Sequence, residues 1–434
     1  MQISGGSALD HLDYFDETFS TENCDFEIPS PSAARDYMNN FHNEAEDEKR
    51  GYGKSFVPEE NEHLKGFAKI HNYIFEQTYK MKPVSSITLD QDATFINSDT
   101  KGTLCNYHGD RSYEALNMYC PDYDILVATQ FRDGNVSPGY GQLEQLKEVI
   151  SNIPVGVKEV YFRSDTAGYQ VDLLKVCANE DRRFSVINFT ISCPVGKEFK
   201  EAVKNIFEKE WRRVYRKKEN GQLFATKLEC AEVVYVPSSL CKSKNDPEYR
   251  FIATREVTDI SAKKTSEITR GDQQLELDLE IEKAEKENEN IKKIHLTAMN
   301  GKIYKIFGIV TNMLEKDIGE LVLWHHGRCG KSEEVHRILK YELAGGHIIS
   351  KRFGANAAYW NISVIALSLN NIFKNNFLPE ECRKSRPKTL RFLFYSMAGR
   401  FVKHAHKVIL KLFGSITGKT WYIEATRRME ACFS

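Results

Sequence analysis

Residues 85–97 read SSITLDQDATFIN. Apolar residues alternate here instead of recurring every three or four positions. Ile87, Leu89, Ala93 and Phe95 fall on one face of an extended chain; Thr88, Asp90, Asp92 and Thr94 fall on the other. A period of two predicts a β-strand. Two aspartates on one strand face are costly in a sheet interior unless paired, hydrated or metal-bound. On a solvated face they need no special explanation. The strand therefore either faces water on one side or forms the wall of a polar site.

Upstream, residues 1–85 read as an acidic, mostly helical segment. IPSPSAARDYMNNF has a Ser/Pro helix start at residues 30–33, NEAEDEKRGYGKS reads as a loop, and Leu64, Phe67, Ile70 and Ile74 have helical spacing. Downstream, strands are expected over residues 102–107, in YDILVATQF, in VKEVYFRSDTAGYQ up to a glycine turn at 165–168, and in FSVINFTI. Helices are expected near residues 143–150 and in YQVDLLKVCAN. Sequential strands on short turns form an antiparallel meander, and helical crossovers then extend it into a mixed sheet with helices on its faces. Beyond it come a basic helix, KEFKEAVKNIFEKEWRRVYRKK, and strands in ECAEVVYVP, EYRFIATREV and KIYKIFGIVTN, interrupted by a charged loop or solvated helix over residues 262–293. A long helical C-terminus, AAYWNISVIALSLNNIF and TLRFLFYSMAGRFVKHAHKVILKLF, closes the chain.

The 434 residues carry a formal charge of −1, but unevenly. Residues 1–60 hold 4 Lys/Arg against 14 Asp/Glu, and residues 301–434 hold 22 against 10. Such asymmetry suits a C-terminal part that faces a polyanion. Ten cysteines with no CxxC pair argue against a zinc site and a disulfide framework. Asn356, Asn361 and Asn370 break the longest apolar run, so no transmembrane helix is expected. The chain reads as soluble and cytoplasmic.

Three acids stand out as candidates for chemistry. Asp92 lies mid-strand, and Asp165 ends an apolar strand before a glycine turn. Glu333 opens a helix in WHHGRCGKSEEVHRILK, residues 324–340, where it shares a helical face with Arg337 and Lys340 while Glu334 points about 100° away. His325, His326, His336 and Cys329 lack the spacing of a zinc site. Two aspartates and a glutamate suit Mg²⁺, and acids of this kind hold ion pairs that promote in-line phosphoryl transfer.

At these residues the chain resembles the DDE transposases of bacterial insertion sequences, the group with a ribonuclease-H-like α/β core and a β-rich insertion before the third acid. LDQDAT resembles the first-acid strand, with Asp92 rather than Asp90 as the ligand, and YFRSDTAGY resembles the second, with Asp165. SEEVHRILK resembles the Tyr-x2-Arg-x3-Glu-x6-Lys signature: Glu333 and Lys340 keep the spacing, whereas His326 stands at the Tyr position and Cys329 at the Arg position, with Arg328 one residue earlier.

The resemblance implies a domain order of 1–85 (an acidic helical segment, read as a truncated end-binding region), 86–205 (first part of the core), 206–315 (β-rich insertion) and 316–434 (the Glu helix and a basic helical tail). It implies an enzyme that hydrolyses phosphodiesters at transposon ends and transfers the released strand into target DNA, in cut-and-paste transposition. Asp92, Asp165 and Glu333 would be catalytic and would hold two Mg²⁺, with Mn²⁺ as a substitute. Arg328, Lys331, Arg337 and Lys340 would contact DNA near the cut, and residues 211–218 and the C-terminal helices further out. The partners would be terminal inverted repeats and target DNA, bound by a homodimer without a membrane. The alternatives are a silent DNA-binding remnant of a truncated element and a nuclease of ribonuclease-H-like fold that does not transpose.

Overall fold

The computed structural model describes residues 1–13, 28–51, 55–218, 220–240, 243, 246–258, 279, 281, 295–404 and 407–433. In chain order its main elements are α1 (Pro31–Asn39), α2 (Glu62–Met81), β1 (Ser86–Asn97), β2 (Leu104–Cys105), β3 (Arg111–Cys120), β4 (Ile125–Asp133), α3 (Gln142–Ser151), β5 (Glu159–Ser164), α4 (Val171–Ala178), β6 (Ile187–Cys193) and α5 (Lys197–Lys204). There follow β7 (Arg212–Lys217), β8 (Leu223–Val233), β9 (Arg250–Val257), β10 (Leu296–Met299), β11 (Lys302–Thr311), α6 (Ile318–His326), α7 (Lys331–Arg337), α8 (Phe353–Asn376), β12 (Ala398–His404), β13 (Lys407–Phe413) and α9 (Ile416–Phe433). The fold is mixed α/β. Its chain divides into two compact units, one of Met1–Val84, Asp92–Gly156 and Lys331–Ser434, the other of Ser85–Gln91 and Val157–Gly330.

The first unit starts from well-capped helices. Ser30 accepts the Ala33 N–H with Pro31 in the first turn, and Asn61 accepts the Leu64 N–H. An antiparallel pair, β3 and β4, runs from Tyr113↔Asp133 to Cys120↔Ile125, with a shift of register between Met118 and Tyr119. Phe67 of α2, Val335 and Leu339, and Trp360 and Val364 of α8 all join Tyr113, Tyr119 and Phe131 in one core. The polar residues of α8 are buried with it; Asn361, for instance, lies 3.0 Å from His71 Nε2. Among the described residues no helix is long and apolar enough to cross a membrane.

The second unit is built on parallel pairing. Residues 86–91 of β1 run parallel to β5, and β5 runs parallel to β6, with α4 as the crossover between the latter two. Antiparallel β11, β9, β8 and β7 continue this sheet from β6, and β10 pairs with β11. The meander of the first unit and the parallel crossovers of the second are each mixed-sheet features with flanking helices, as expected from the sequence.

Several elements differ from expectation. Strand β3 has no counterpart in the sequence reading, because Glu114 and Asn117 interrupt its apolar pattern. Both polar residues are buried and satisfied across the ladder: Glu114 lies opposite Arg132 and accepts its Nε–H at 2.7 Å, and Asn117 lies opposite Thr129 and accepts its hydroxyl at 2.6 Å. The basic helix expected to run through residues 211–218 stops at Lys204, and 212–217 form β7, where Val214 alone is buried in an alternating basic stretch. The expected C-terminal helix is interrupted by the β12–β13 hairpin, whose Val, Ile and Phe residues favour extended chain. Residues 44–47, read as loop, form one helical turn capped by Asn43. The charged stretch 262–293 lies, apart from 279 and 281, outside the described residues.

The Glu114–Arg132 pair generates a stability prediction. Truncating one partner of a buried ion pair costs about 3–5 kcal/mol, because the other charge stays buried and uncompensated. Glu114→Ala is therefore expected to lower the urea midpoint steeply, and Glu114→Met with Arg132→Met to recover most of the loss. A midpoint for Glu114→Ala equal to that of the parent chain would refute this.

Candidate active site

Strands β1 and β5 set the first part of the site. Their register runs from Ser86↔Glu159 to Asp90↔Arg163 and Gln91↔Ser164. Asp90 is 1% exposed, and Arg163 grips it with two bonds, Nε to Oδ1 at 2.6 Å and Nη2 to Oδ2 at 2.7 Å. The same guanidinium donates to the Trp324 carbonyl at the end of α6 and lies 4.9 Å from the Trp324 ring centre. A Cβ at position 327 would stand 3.1 Å from Arg163 Nη1, so the glycine there leaves room for this grip. Of the two aspartates on β1, Asp90 is thus fully engaged in structure.

Asp92 and Asp165 are the next polar residues on these strands, each directly after the last paired position. Both are partly exposed. Asp92 Oδ1 accepts the Ala93 N–H at 3.1 Å, and Asp165 Oδ1 accepts the Ala167 N–H at 3.0 Å, capping the turn at Thr166–Gly168.

Two histidines of the 324–340 motif, His325 and His336, are structural. His325 is buried, with Nδ1 2.9 Å from Thr190 Oγ1 and Nε2 3.0 Å from Ser192 Oγ, so both ring nitrogens are occupied by β6. Burial first, and then the charges of Arg328, His326 and Arg163, push its pKa well below the ordinary value of 6.5. Burial and then Arg216 lower that of His326. Arg328 is buried and Cys329 beside it is exposed.

Helix α7 belongs to the first unit. Val335 and Leu339 anchor it in the core. A chain of buried hydrogen bonds fixes it to the sheet: Trp360 Nε1–H donates to Thr129 Oγ1 at 2.8 Å, Thr129 to Asn117, and Asn117 Nδ2–H to His336 Nε2 at 3.1 Å. An imidazole nitrogen that accepts is unprotonated, so the amide selects the neutral ring. The two adjacent glutamates differ sharply. Glu334 is ion-paired with Arg386 at 3.0 Å and lies 3.9 Å from Arg337. Glu333 is exposed and makes no ion pair or hydrogen bond with any described residue. Lys331 is exposed at the start of the helix, and Arg337 lies 3.3 Å from Glu342.

The helix changes to a π-turn at Ile338–Glu342. Seven residues spanning that turn do not keep regular α-helical phase, so contacts and not the helical wheel locate Lys340. Its ammonium donates to Thr94 Oγ1 at 3.0 Å and to the Phe95 carbonyl at 3.2 Å, both on β1, and burial lowers its pKa.

Among the described residues no group of three or more His, Cys, Asp or Glu side chains is gathered closely enough to hold a metal. Asp92 and Glu333 belong to the first unit and Asp165 to the second. The donor types do suit Mg²⁺, which takes carboxylate oxygens and keeps several waters. The exposure of these three acids permits such hydration, whereas Asp90 and Glu334 are occupied by arginines.

A family model described as transposase DDE domain, group 1, matches residues 55–432. The chain belongs to that family. A chain from the cryo-EM structure of the piggyBac transposase synaptic complex with hairpin DNA is similar at 8% identity, over 90% of this chain and 76% of that one, with a TM-score of 0.32. That likeness is too slight to add to the family match. No curated protein matches the sequence.

Sequence reasoning missed Arg163, His325 and the Asn117–Thr129–Trp360 chain of this DDE transposase. Arg163 had a readable signal: it precedes Asp165 by the same two positions by which Asp90 precedes Asp92.

Buried His325 makes stability depend on pH in a definite direction. Its folded pKa lies below 6.5, so below pH 6.5 the unfolded chain takes up a proton that the folded chain refuses. Stability is therefore complete above that pH and falls as pH drops toward the folded pKa, by up to about 1.4 kcal/mol per pH unit for one proton. In His325→Gln the decline between pH 6.5 and 5 should be shallower than in the parent, although stability at pH 7.5 is lower. Parallel declines in urea titrations across that range would count against this account.

Proposed function

We propose that this transposase is a metal-dependent enzyme that cleaves DNA at the ends of its element and joins the freed strand to target DNA. Asp92, Asp165 and Glu333 are the proposed ligands. The observation that carries the reading is the end of the β1–β5 ladder: Gln91↔Ser164 is the last parallel pair, and an aspartate follows on each strand. The choice of Glu333 is supported by the engagement of Glu334 with Arg386, and by the bond from Lys340 to β1, two residues beyond Asp92.

When bound, a pair of Mg²⁺ ions supplies an activated water and neutralises charge on the transferring phosphoryl group; Mn²⁺ is a fitting substitute. The protein's part is to position. Asp92 and Asp165 are held by backbone N–H bonds to one oxygen each, and α7 holds Glu333 through its core anchors and the His336–Asn117 bond. Lys331 is exposed to receive a phosphate, and Lys340 has a third ammonium N–H beyond the two given to β1. Arg337 completes the proposed phosphate contacts, whereas Arg328 is buried and would have to be uncovered to reach a phosphate. Arg337 would give up Glu342 to make its contact, which makes its share smaller than that of Lys331. Contacts of this kind orient the strand without reading bases. Hydrolysis exposes a 3′-OH that then attacks target DNA. The partners are the terminal inverted repeats and the target duplex, bound by a homodimer that holds both ends.

The deciding experiment is a cleavage and strand-transfer assay on duplexes carrying the flanking inverted repeats, with Mg²⁺. Asp92→Asn, Asp165→Asn and Glu333→Gln should each reduce both steps to background, while Glu334→Gln should retain cleavage. Full activity of Glu333→Gln would sink the assignment. Cleavage without joining would mark a nuclease, and binding without nicking a silent remnant.

A further inference from the structure

The distal part of the β7–β8 hairpin lacks the support that the rest of its sheet enjoys. Among the described residues β9 pairs with β8 only over 229–233, and β7 is the end strand. Tyr215, Arg216 and Lys217 therefore pair with Ala225, Phe224 and Leu223 alone, and the Lys218 N–H donates to the Gln222 carbonyl at 2.9 Å to close the ribbon. Residues 226–228 on β8 face only Val214, so the ladder shifts register where the ribbon leaves the sheet.

Both ribbon faces are wet. Arg216 and Phe224 share one face; Tyr215, Lys217, Leu223 and Ala225 share the other. Tyr215 is 52% exposed, Leu223 64% and Phe224 40%. Residues 212–227 carry six Lys/Arg and one Asp/Glu. Arg212 and Arg213 lie near Asp317 and Glu229, but Arg216, Lys217, Lys218 and Lys227 have no ion pair with a described residue. Cations on an edge strand discourage pairing with other edges. That accounts for the charge, and the Lys218 ammonium lies over the Phe224 ring at 5.9 Å, but neither accounts for the exposed Tyr215 and Leu223, whose apolar area is unfavourable in water. Uncompensated cations interleaved with flat apolar side chains, on a support two strands wide, fit a polyanion with a groove. The major groove of duplex DNA, about 12 Å wide, admits a two-stranded ribbon.

We propose that residues 215–218 and 222–225 dock as a β-ribbon in the major groove of duplex DNA, with Arg216, Lys217 and Lys218 on phosphates and Tyr215 and Leu223 turned to the groove floor. This rests on the transposase reading above and adds a contact surface to it.

The test is fluorescence anisotropy of the full chain with a labelled random-sequence duplex of about 30 base pairs, titrated at several NaCl concentrations; each phosphate contact contributes about −0.9 to the slope of log K against log salt. The triple variant Arg216→Gln, Lys217→Gln, Lys218→Gln should bind at least about tenfold more weakly at 150 mM salt, with the slope reduced by about 2 to 3. Tyr215→Ser should weaken binding without changing the slope. An unchanged melting temperature would confirm that both variants fold. If the parent binds and the triple variant matches it in affinity and slope, the ribbon proposal falls and the transposase reading stands. If the parent does not bind the duplex, the ribbon proposal falls, and the cleavage assay above decides the transposase reading separately. Loss of self-association with the salt slope intact would overturn the DNA assignment in favour of a protein contact.

Discussion

The buried pair of Asp90 and Arg163 organises the ground on which the second unit is built. A lone carboxylate at 1% exposure would be intolerable, and the cost is offset only because the guanidinium satisfies both carboxylate oxygens. Arg163 has donors in a rigid fork, so the same group that neutralises β1 also reaches the Trp324 carbonyl. One side chain therefore ties the parallel ladder to the last turn of α6, immediately before the 324–340 motif. The pair also explains why two nearby aspartates have different fates. Asp90 is occupied inward, and Asp92 comes after the last ladder pair.

The same logic recurs in the first unit. There, α7 is held by Val335 and Leu339 in the core and by a polar chain from Trp360 through Thr129 and Asn117 to His336. Buried polar groups of this kind contribute only when every member is satisfied, and they then restrict a helix to one rotation and one depth. Glu334 is spent on Arg386, whereas Glu333 is left exposed. Along the chain, a carboxylate assigned to structure, Asp90 or Glu334, stands next to one proposed for chemistry, Asp92 or Glu333.

The alternation in residues 85–97, the apolar strands ending at Asp165 and the capped helices at Ser30 and Asn61 were all readable because their signals are local. A strand's period, a cap's side chain and a turn's glycine act within a few residues. Asp92, Asp165 and Glu333 were nominated from such signals together with the resemblance. Strand β3 was not readable, because Glu114 and Asn117 are stabilised by Arg132 and Thr129 on the next strand. Likewise, residues 212–217 look like a basic helix until β8 supplies the hydrogen bonds that make them a strand.

The sequence by itself pointed to the family and the mixed α/β class and nominated the candidate acids, since these depend on residue type and spacing. Only the tertiary structure decided which charged residues are occupied. Asp90, Glu114, Glu334 and His325 are polar in sequence and indistinguishable there from residues free to act. Their partners, Arg163, Arg132, Arg386 and the hydroxyls of Thr190 and Ser192, lie at least 18 residues away along the chain. Burial makes such partners obligatory, and only folding brings them together.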